Sequence, residues 1–199
     1  TGLVAEGLAK QYQGRISVMH RTGKLGLGTA YISGFKNLLG TDADVIGQMD
    51  ADFSHPPEKL IEMAEALENA DIAEGSRYVP GGSLDEKWPL WRKWLSGFGN
   101  DYARTILRLP IRDVTGGFRL WKRETLAEMP LDKVKSNGYV FQVEMAYISH
   151  KMGFRFVEIP IHFNERIYGQ SKMNLSIQVE AAIRVWQLIG RYKQLKKVN

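Results

Sequence analysis

Apolar positions recur along this chain with two alternating periods. Leu3, Val4, Leu8 and Ala9 fall at helical spacing and predict a helix over residues 3–13. Residues 15–20 then alternate, with Ile16 and Val18 on one face, and read as a strand. Ala30, Ile32, Phe35, Leu38 and Leu39 form the apolar stripe of an amphipathic helix. Residues 42–49 end in the apolar run of a buried strand. Residues 57–69 place Leu60, Ile61, Ala64 and Leu67 on one helical face, and residues 71–74 make a short strand. Strands and helices alternate, which argues for an α/β chain with a mostly parallel central sheet and flanking helices. A doubly wound sheet normally begins with a strand. None precedes the first helix, so an N-terminal βα unit is expected to be missing.

The pattern changes over residues 83–110. Trp88, Trp91 and Trp94 recur every third residue, interleaved with Lys87, Arg92 and Lys93, and Leu95, Phe98, Tyr102, Ile106 and Leu107 continue the apolar face. A core stripe and an interfacial helix both fit this spacing. Residues 112–121 read as a loop entering a strand, and residues 138–152 as a helix. Residues 155–163 read as a strand, with Pro160 favouring an edge or a bulge. A polar loop over residues 164–173 precedes an amphipathic helix at 175–192 and a basic tail. No second domain, repeat or linker interrupts the chain, so 1–199 is expected to be a single catalytic domain. Within it, 83–110 would supply acceptor- or membrane-facing helices, and 174–199 an amphipathic basic C-terminal helix.

Composition narrows the chemistry. Among 199 residues there is no cysteine, which excludes disulfides, thiolate metal sites and a cysteine nucleophile. The net charge of +5 is uneven. Residues 1–80 hold seven Lys/Arg against eleven Asp/Glu, and residues 81–199 hold twenty against eleven. A basic C-terminal half suggests an anionic partner such as phosphate or anionic lipid. No recognised nucleic-acid motif is present and the cations are dispersed among loops, so nucleic acid is not expected to be the partner. No apolar run approaches the roughly 20 residues of a membrane span, and a cytoplasmic chain attached peripherally to the cytoplasmic membrane face is expected.

Two features carry candidate chemistry. Asp50 and Asp52 stand one residue apart where the 42–49 strand ends, which is where parallel sheets bind ligands. Two adjacent carboxylates are costly unless a cation offsets them, and a hard divalent ion both removes that cost and holds a diphosphate. The second feature is residues 20–29, in which Gly23, Gly26 and Gly28 accompany Arg21 and Lys24 just ahead of a helix. That arrangement suits an anion, although the Gly-Lys-Ser/Thr of a Walker A loop is absent.

Six segments, taken in order, resemble the inverting family 2 glycosyltransferases, and most nearly the polyprenol (dolichol) phosphate mannose synthases. They are MDADFSHPPEKL, HRTGKLGLGTAYISGF, GSRYVPGG, DVTGGFRLWKR, SNGYVFQVEM and FNERIYGQSKMN. The resemblance implies a nucleotide-diphospho-sugar transferase (GT-A) fold. It also implies transfer of mannose from GDP-mannose to polyprenol phosphate, with Mg²⁺ or Mn²⁺. Asp50 and Asp52 match the acid-x-acid motif, with Asp52 on the metal and Asp50 toward the donor. Ser54 stands where the family commonly has Gln, as a third ligand. Lys24, Arg166 and Lys172 match donor or diphosphate positions, and Ser171-Lys172 lies on a loop expected to close over the donor. Arg77, Arg92, Ser96 and Arg119 match positions that grip the acceptor phosphate. The family's two N-terminal nucleotide-binding segments are not matched. Another donor such as UDP-glucose, or a non-catalytic nucleotide-sugar-binding paralogue, therefore stays open.

Overall fold

The computed structural model of the chain describes residues 1–165 and 175–197. In chain order the elements are α1 (Gly2–Gln11), α2 (Leu27–Leu39), β1 (Val45–Gln48), α3 (Lys59–Ala66), β2 (Ile72–Ser76) and β3 (Ser83–Leu84). There follow α4 (Leu90–Leu107), β4 (Arg119–Lys122), α5 (Arg123–Glu128), α6 (Tyr139–Met152), β5 (Phe156–Pro160), β6 (His162–Phe163) and α7 (Leu175–Arg191).

The main sheet has the order β1-β4-β2-β5. Only β2 and β5 pair in parallel. β4 runs antiparallel to both β1 and β2, so β1, β2 and β5 share one direction and the expected mostly parallel sheet carries one reversed strand. The excursion through α4 returns the chain to the end of the sheet at which β2 finishes, so β4 enters between β1 and β2 in the opposite direction. A second small sheet pairs β3 with β6 in parallel.

Two apolar layers sandwich the main sheet. Ile46, Ile72 and Trp121 face Phe35, Phe141 and Met145, whereas Ala73, Phe118 and Leu120 face Met63 and Leu67. Adjacent strand residues point to opposite faces, so Phe118 and Leu120 fall in one layer and Trp121 in the other. α6 is buried almost all round, which makes it the interior helix of the first layer.

Three other expectations change. Residues 15–20 form no strand, and Ile16 and Met19 are exposed. Alternation yields a strand only where a partner edge is available, and no described strand pairs with this segment. The predicted strand over 155–163 divides after Pro160, with β5 at the edge of the main sheet and β6 in the small one. The tryptophan stripe splits between both readings. Trp88 is 8 % exposed, whereas Trp94 is 69 % exposed.

Candidate active site

The acidic motif sits where β1 ends. The Asp50 N–H donates to Nδ1 of His55 at 3.1 Å, and the Tyr31 hydroxyl on α2 donates to Asp50 Oδ1 at 3.2 Å. Burial, followed by the nearby Asp50 charge, raises the Tyr31 phenol, so it remains a donor. Burial lowers the His55 imidazole and keeps it neutral, as its acceptor role at Nδ1 requires. Asp52 Oδ1 accepts from the Ser54 N–H at 3.1 Å and from the Ser54 hydroxyl. Between them Phe53 has φ 65°, a left-handed conformation that is costly for a non-glycine residue, and its side chain is exposed. The strained turn sets the direction of Asp52.

An aromatic hub connects this turn to α4. His55 stacks on Phe118 and meets Phe163 edge-on, with ring centroids 5.2 and 5.3 Å apart. Phe163 also meets the Trp88 ring edge-on at 5.8 Å and lies 5.3 Å from the Arg77 guanidinium. Arg92 in turn lies 3.6 Å over the Trp88 ring and pairs with Glu165 at 2.9 Å. One turn along α4, the Ser96 hydroxyl shares a 2.7 Å hydrogen bond with Tyr78. The Asn164 N–H donates to the Ser54 carbonyl at 3.1 Å, fastening the exit of β6 to the acidic turn.

Below the site a polar row crosses all four strands in register: Gln48, Arg119, Glu74 and Glu158. Gln48 donates to the Gln142 side chain, and Arg119 to the Gln142 carbonyl. Glu158 accepts the N–H groups of Arg112 and Asp113 at 2.8 and 3.0 Å. Asn100 on α4 accepts from the Val114 N–H and donates to the Arg112 carbonyl. The 112–117 loop is thereby held between the sheet and α4. Gly117 closes the arrangement, because a Cβ there would lie 3.2 Å from Gln142 and 3.9 Å from Asp50.

This geometry reassigns several candidates. Arg119 is 0 % exposed and ion-paired to the equally buried Glu74, so it does not belong to an acceptor-phosphate set. It lies on the middle strand of three, with a neighbouring side chain on either side, where a ligand does not reach. The Arg77 guanidinium holds Asp113 in a two-point pair, both contacts at 2.7 Å, and also donates to Thr115. Burial opposes ionisation of Asp113, but the Arg77 charge and hydrogen bonds outweigh it and hold the carboxyl below its usual range. Arg77 therefore fixes the 112–117 loop with its charge already balanced. Ser54 is buried and orients Asp52.

Arg92 and Ser96 lie four residues apart on α4, and Lys24 is exposed in the glycine loop ahead of α2. Arg166, Ser171 and Lys172 lie outside the described residues. His55, Asp113, Gln142, Phe163 and Glu165 were not among the candidates. Each stands inside a quoted motif, so proximity to the acids and glycines was the signal available for them.

Among the described residues no group of three or more His, Cys, Asp or Glu converges to hold a metal. A divalent ion here would have the carboxylates of Asp50 and Asp52 and would complete its shell from a ligand and water. This all-oxygen, ligand-poor set suits Mg²⁺ or Mn²⁺.

Residues 1–129 match the family described as glycosyl transferase family 2. The chain is 45% identical over 183 residues to an undecaprenyl-phosphate mannosyltransferase of Micrococcus luteus, covering 91% of this chain and 75% of that one. It is 43% identical over 201 residues to a polyprenol monophosphomannose synthase of Mycolicibacterium smegmatis, covering 100% of this chain and 76% of that one. Among solved structures, glucosyl-3-phosphoglycerate synthase of Mycobacterium tuberculosis with phosphoglyceric acid superposes with TM-score 0.56 at 14% identity. That match covers 94% of this chain but 63% of the other, so the chain spans under two thirds of that protein. The same synthase with Mn²⁺, UDP and glucosyl-3-phosphoglycerate gives TM-score 0.55 at 13% identity, over 92% of this chain and 58% of that one. These structural likenesses establish the GT-A fold. The chain belongs to glycosyl transferase family 2, close to the polyprenol phosphate mannose synthases, and is a glycosyltransferase.

Proposed function

We propose that the protein transfers mannose from GDP-mannose to the phosphate of a polyprenol, with inversion, at a membrane surface. The observation that carries this reading is the meeting, around Phe163, of an acidic pair suited to a divalent cation and a cationic group suited to a phosphate. On one side are Asp50 and Asp52, and on the other Arg92 and Ser96. The names of the two mannosyltransferases support mannose as the sugar and a polyprenol phosphate as the acceptor.

The acceptor phosphate monoester has a second pKa near ~6 and is largely dianionic at neutral pH. It therefore needs positioning more than deprotonation, and no histidine base is required. Arg92 leaves Glu165 for the acceptor phosphate, and Ser96 adds a hydroxyl from the next turn. Lys24 and the N-terminus of α2 face the donor diphosphate. Arg166 and Lys172, outside the described residues, match donor-side positions of the family in sequence. Asp50 and Asp52 would hold Mg²⁺ or Mn²⁺, which would supply charge neutralisation for the departing diphosphate. An acceptor phosphate oxygen bonds to the anomeric carbon as the bond from that carbon to the diphosphate oxygen breaks, and GDP leaves with the electron pair.

The membrane reading rests on two helices. Leu90, Trp91, Trp94 and Phe98 are exposed on α4, and Ile183 and Trp186 are exposed on α7. Trp94, Phe98 and Tyr102 stack in sequence, and Trp186 Nε1 donates to the Tyr102 hydroxyl at 2.9 Å, joining the two faces. Lys93 borders this surface on α4, and Lys193, Lys196 and Lys197 follow α7. Aromatic rings beside cations suit the headgroup level of an anionic bilayer. No helix among the described residues is long and apolar enough to cross a membrane.

Incubation with labelled GDP-mannose, polyprenol phosphate and Mg²⁺ or Mn²⁺, with UDP-glucose in parallel, tests the reading. Labelled mannosyl lipid is expected. Labelling only from UDP-glucose would replace the donor, and labelling from neither would remove the reaction.

A further inference from the structure

Glu144 takes no part in the proposed chemistry, yet it is 0 % exposed and fully engaged. It lies on α6, and its two oxygens face different parts of the chain. Oε2 accepts the N–H groups of Lys135 and Ser136 at 3.2 and 2.8 Å. Oε1 accepts from Arg191 at the end of α7 at 2.7 Å, and from the Tyr192 hydroxyl at 2.8 Å. Tyr192 is itself buried and reaches the Lys133 carbonyl at 3.0 Å. One carboxylate thus joins the 133–136 backbone to the C-terminal end of α7.

That backbone is the wall against which the glycine-rich loop closes. A Cβ at Gly28 would collide with the Ser136 carbonyl, and one at Gly26 with the Asn137 side-chain amide. Gly26 has φ 98° and precedes the first turn of α2. Arg21 folds over the same turn, donating to the Gly26 carbonyl at 3.1 Å and to the Thr29 hydroxyl. With glycine on one side and a fixed backbone on the other, the position of the loop depends on where Ser136 and Asn137 stand.

We infer that Glu144 is a positioning residue for the glycine-rich loop: it sets the 135–137 segment, whose Ser136 carbonyl Gly28 abuts and whose Asn137 side chain Gly26 abuts, and ties that setting to the end of α7. The donor consequence rests on the reading of residues 20–29 as the donor side. The exposed Ile183 and Trp186 belong to the same helix whose end Glu144 holds, so the lipid-facing helix and the donor loop share one buried anchor.

The test compares the wild-type protein with Glu144→Gln and Tyr192→Phe, by amide hydrogen exchange and by steady-state kinetics. Loss of a charged acceptor should speed exchange across residues 21–28 and 133–138 by about tenfold, leaving β1, β2 and β4 unchanged. The donor KM should rise by a similar factor while the acceptor KM stays within about twofold. Tyr192→Phe keeps the ring, removes one donor and should move the same segments less, so it decides the matter if Glu144→Gln fails to fold. Faster exchange confined to 133–138, or spread evenly over the sheet, would overturn the inference, as would equal rises in both KM values. A wild-type protein inactive with every nucleotide sugar would overturn the proposed reaction instead, and the exchange comparison would still decide the role of Glu144.

Discussion

Arg92 lies over Trp88, 3.6 Å from the ring centroid, while Glu165 accepts two hydrogen bonds from the same guanidinium at 2.9 and 3.0 Å. The cation is thereby stored beside the site with its charge answered by a half-buried carboxylate. In the proposed reaction the acceptor phosphate displaces Glu165. Arg92→Ala should raise the acceptor KM by about tenfold to a hundredfold, the worth of a charged hydrogen bond. The donor KM should stay near its original value. Steady-state kinetics with each substrate varied in turn checks this, and equal rises would count against an acceptor role.

The layout of this site was partly legible in the sequence. Asp50 and Asp52 stand at a strand end, as the apolar run before them indicated. Arg92 and Ser96 share a helix face because their spacing is four residues. Arg119 was assigned to the acceptor set by its motif position alone, which does not reveal the partner of a charged side chain. The partner, Glu74, is 45 residues away, and only the antiparallel entry of β4 between β1 and β2 brings them together. Arg77 and Asp113 are 36 residues apart and hidden for the same reason. The reversal of β4 was also illegible, since periodicity reports which face is buried and not which way the chain runs.

The Arg119–Glu74 pair should dominate stability. Arg119→Met leaves Glu74 buried without its cation and should cost about 3–5 kcal/mol. For a domain of this size that is a fall in melting midpoint of about 10 °C. Adding Glu74→Leu should recover most of the loss, because the uncompensated charge is then removed. Thermal unfolding of the two variants checks the order.

Acid should act through Asp113. Its carboxyl is held below the usual range in the folded protein, so its contribution to stability is complete above the ordinary carboxylate pKa near ~3.9. That contribution disappears as pH falls through the lower folded value. Asp113→Asn should lower stability at neutral pH and flatten the loss between about pH 4 and the acid end point. Denaturant midpoints measured across this range report both effects.

Membrane attachment should follow the aromatic face. Trp94→Ser and Trp186→Ser should each weaken binding to vesicles containing anionic lipid by about tenfold, since burying one large apolar side chain contributes roughly 1.5–3 kcal/mol. Raising the ionic strength should weaken binding further. Sedimentation with vesicles of neutral and anionic composition separates the apolar part from the charged part.

The most direct measurement of the central claim is transfer of labelled mannose from GDP-mannose to polyprenol phosphate by the wild-type protein and by Asp52→Ala, across a titration of Mn²⁺. The wild-type protein is expected to form labelled mannosyl lipid in proportion to metal occupancy. Asp52→Ala is expected to lose transfer by about a thousandfold, the scale of one preorganised electrostatic group, and to lose its response to the metal. Labelled lipid formed by Asp52→Ala at the wild-type rate, or with unchanged metal dependence, would contradict the account.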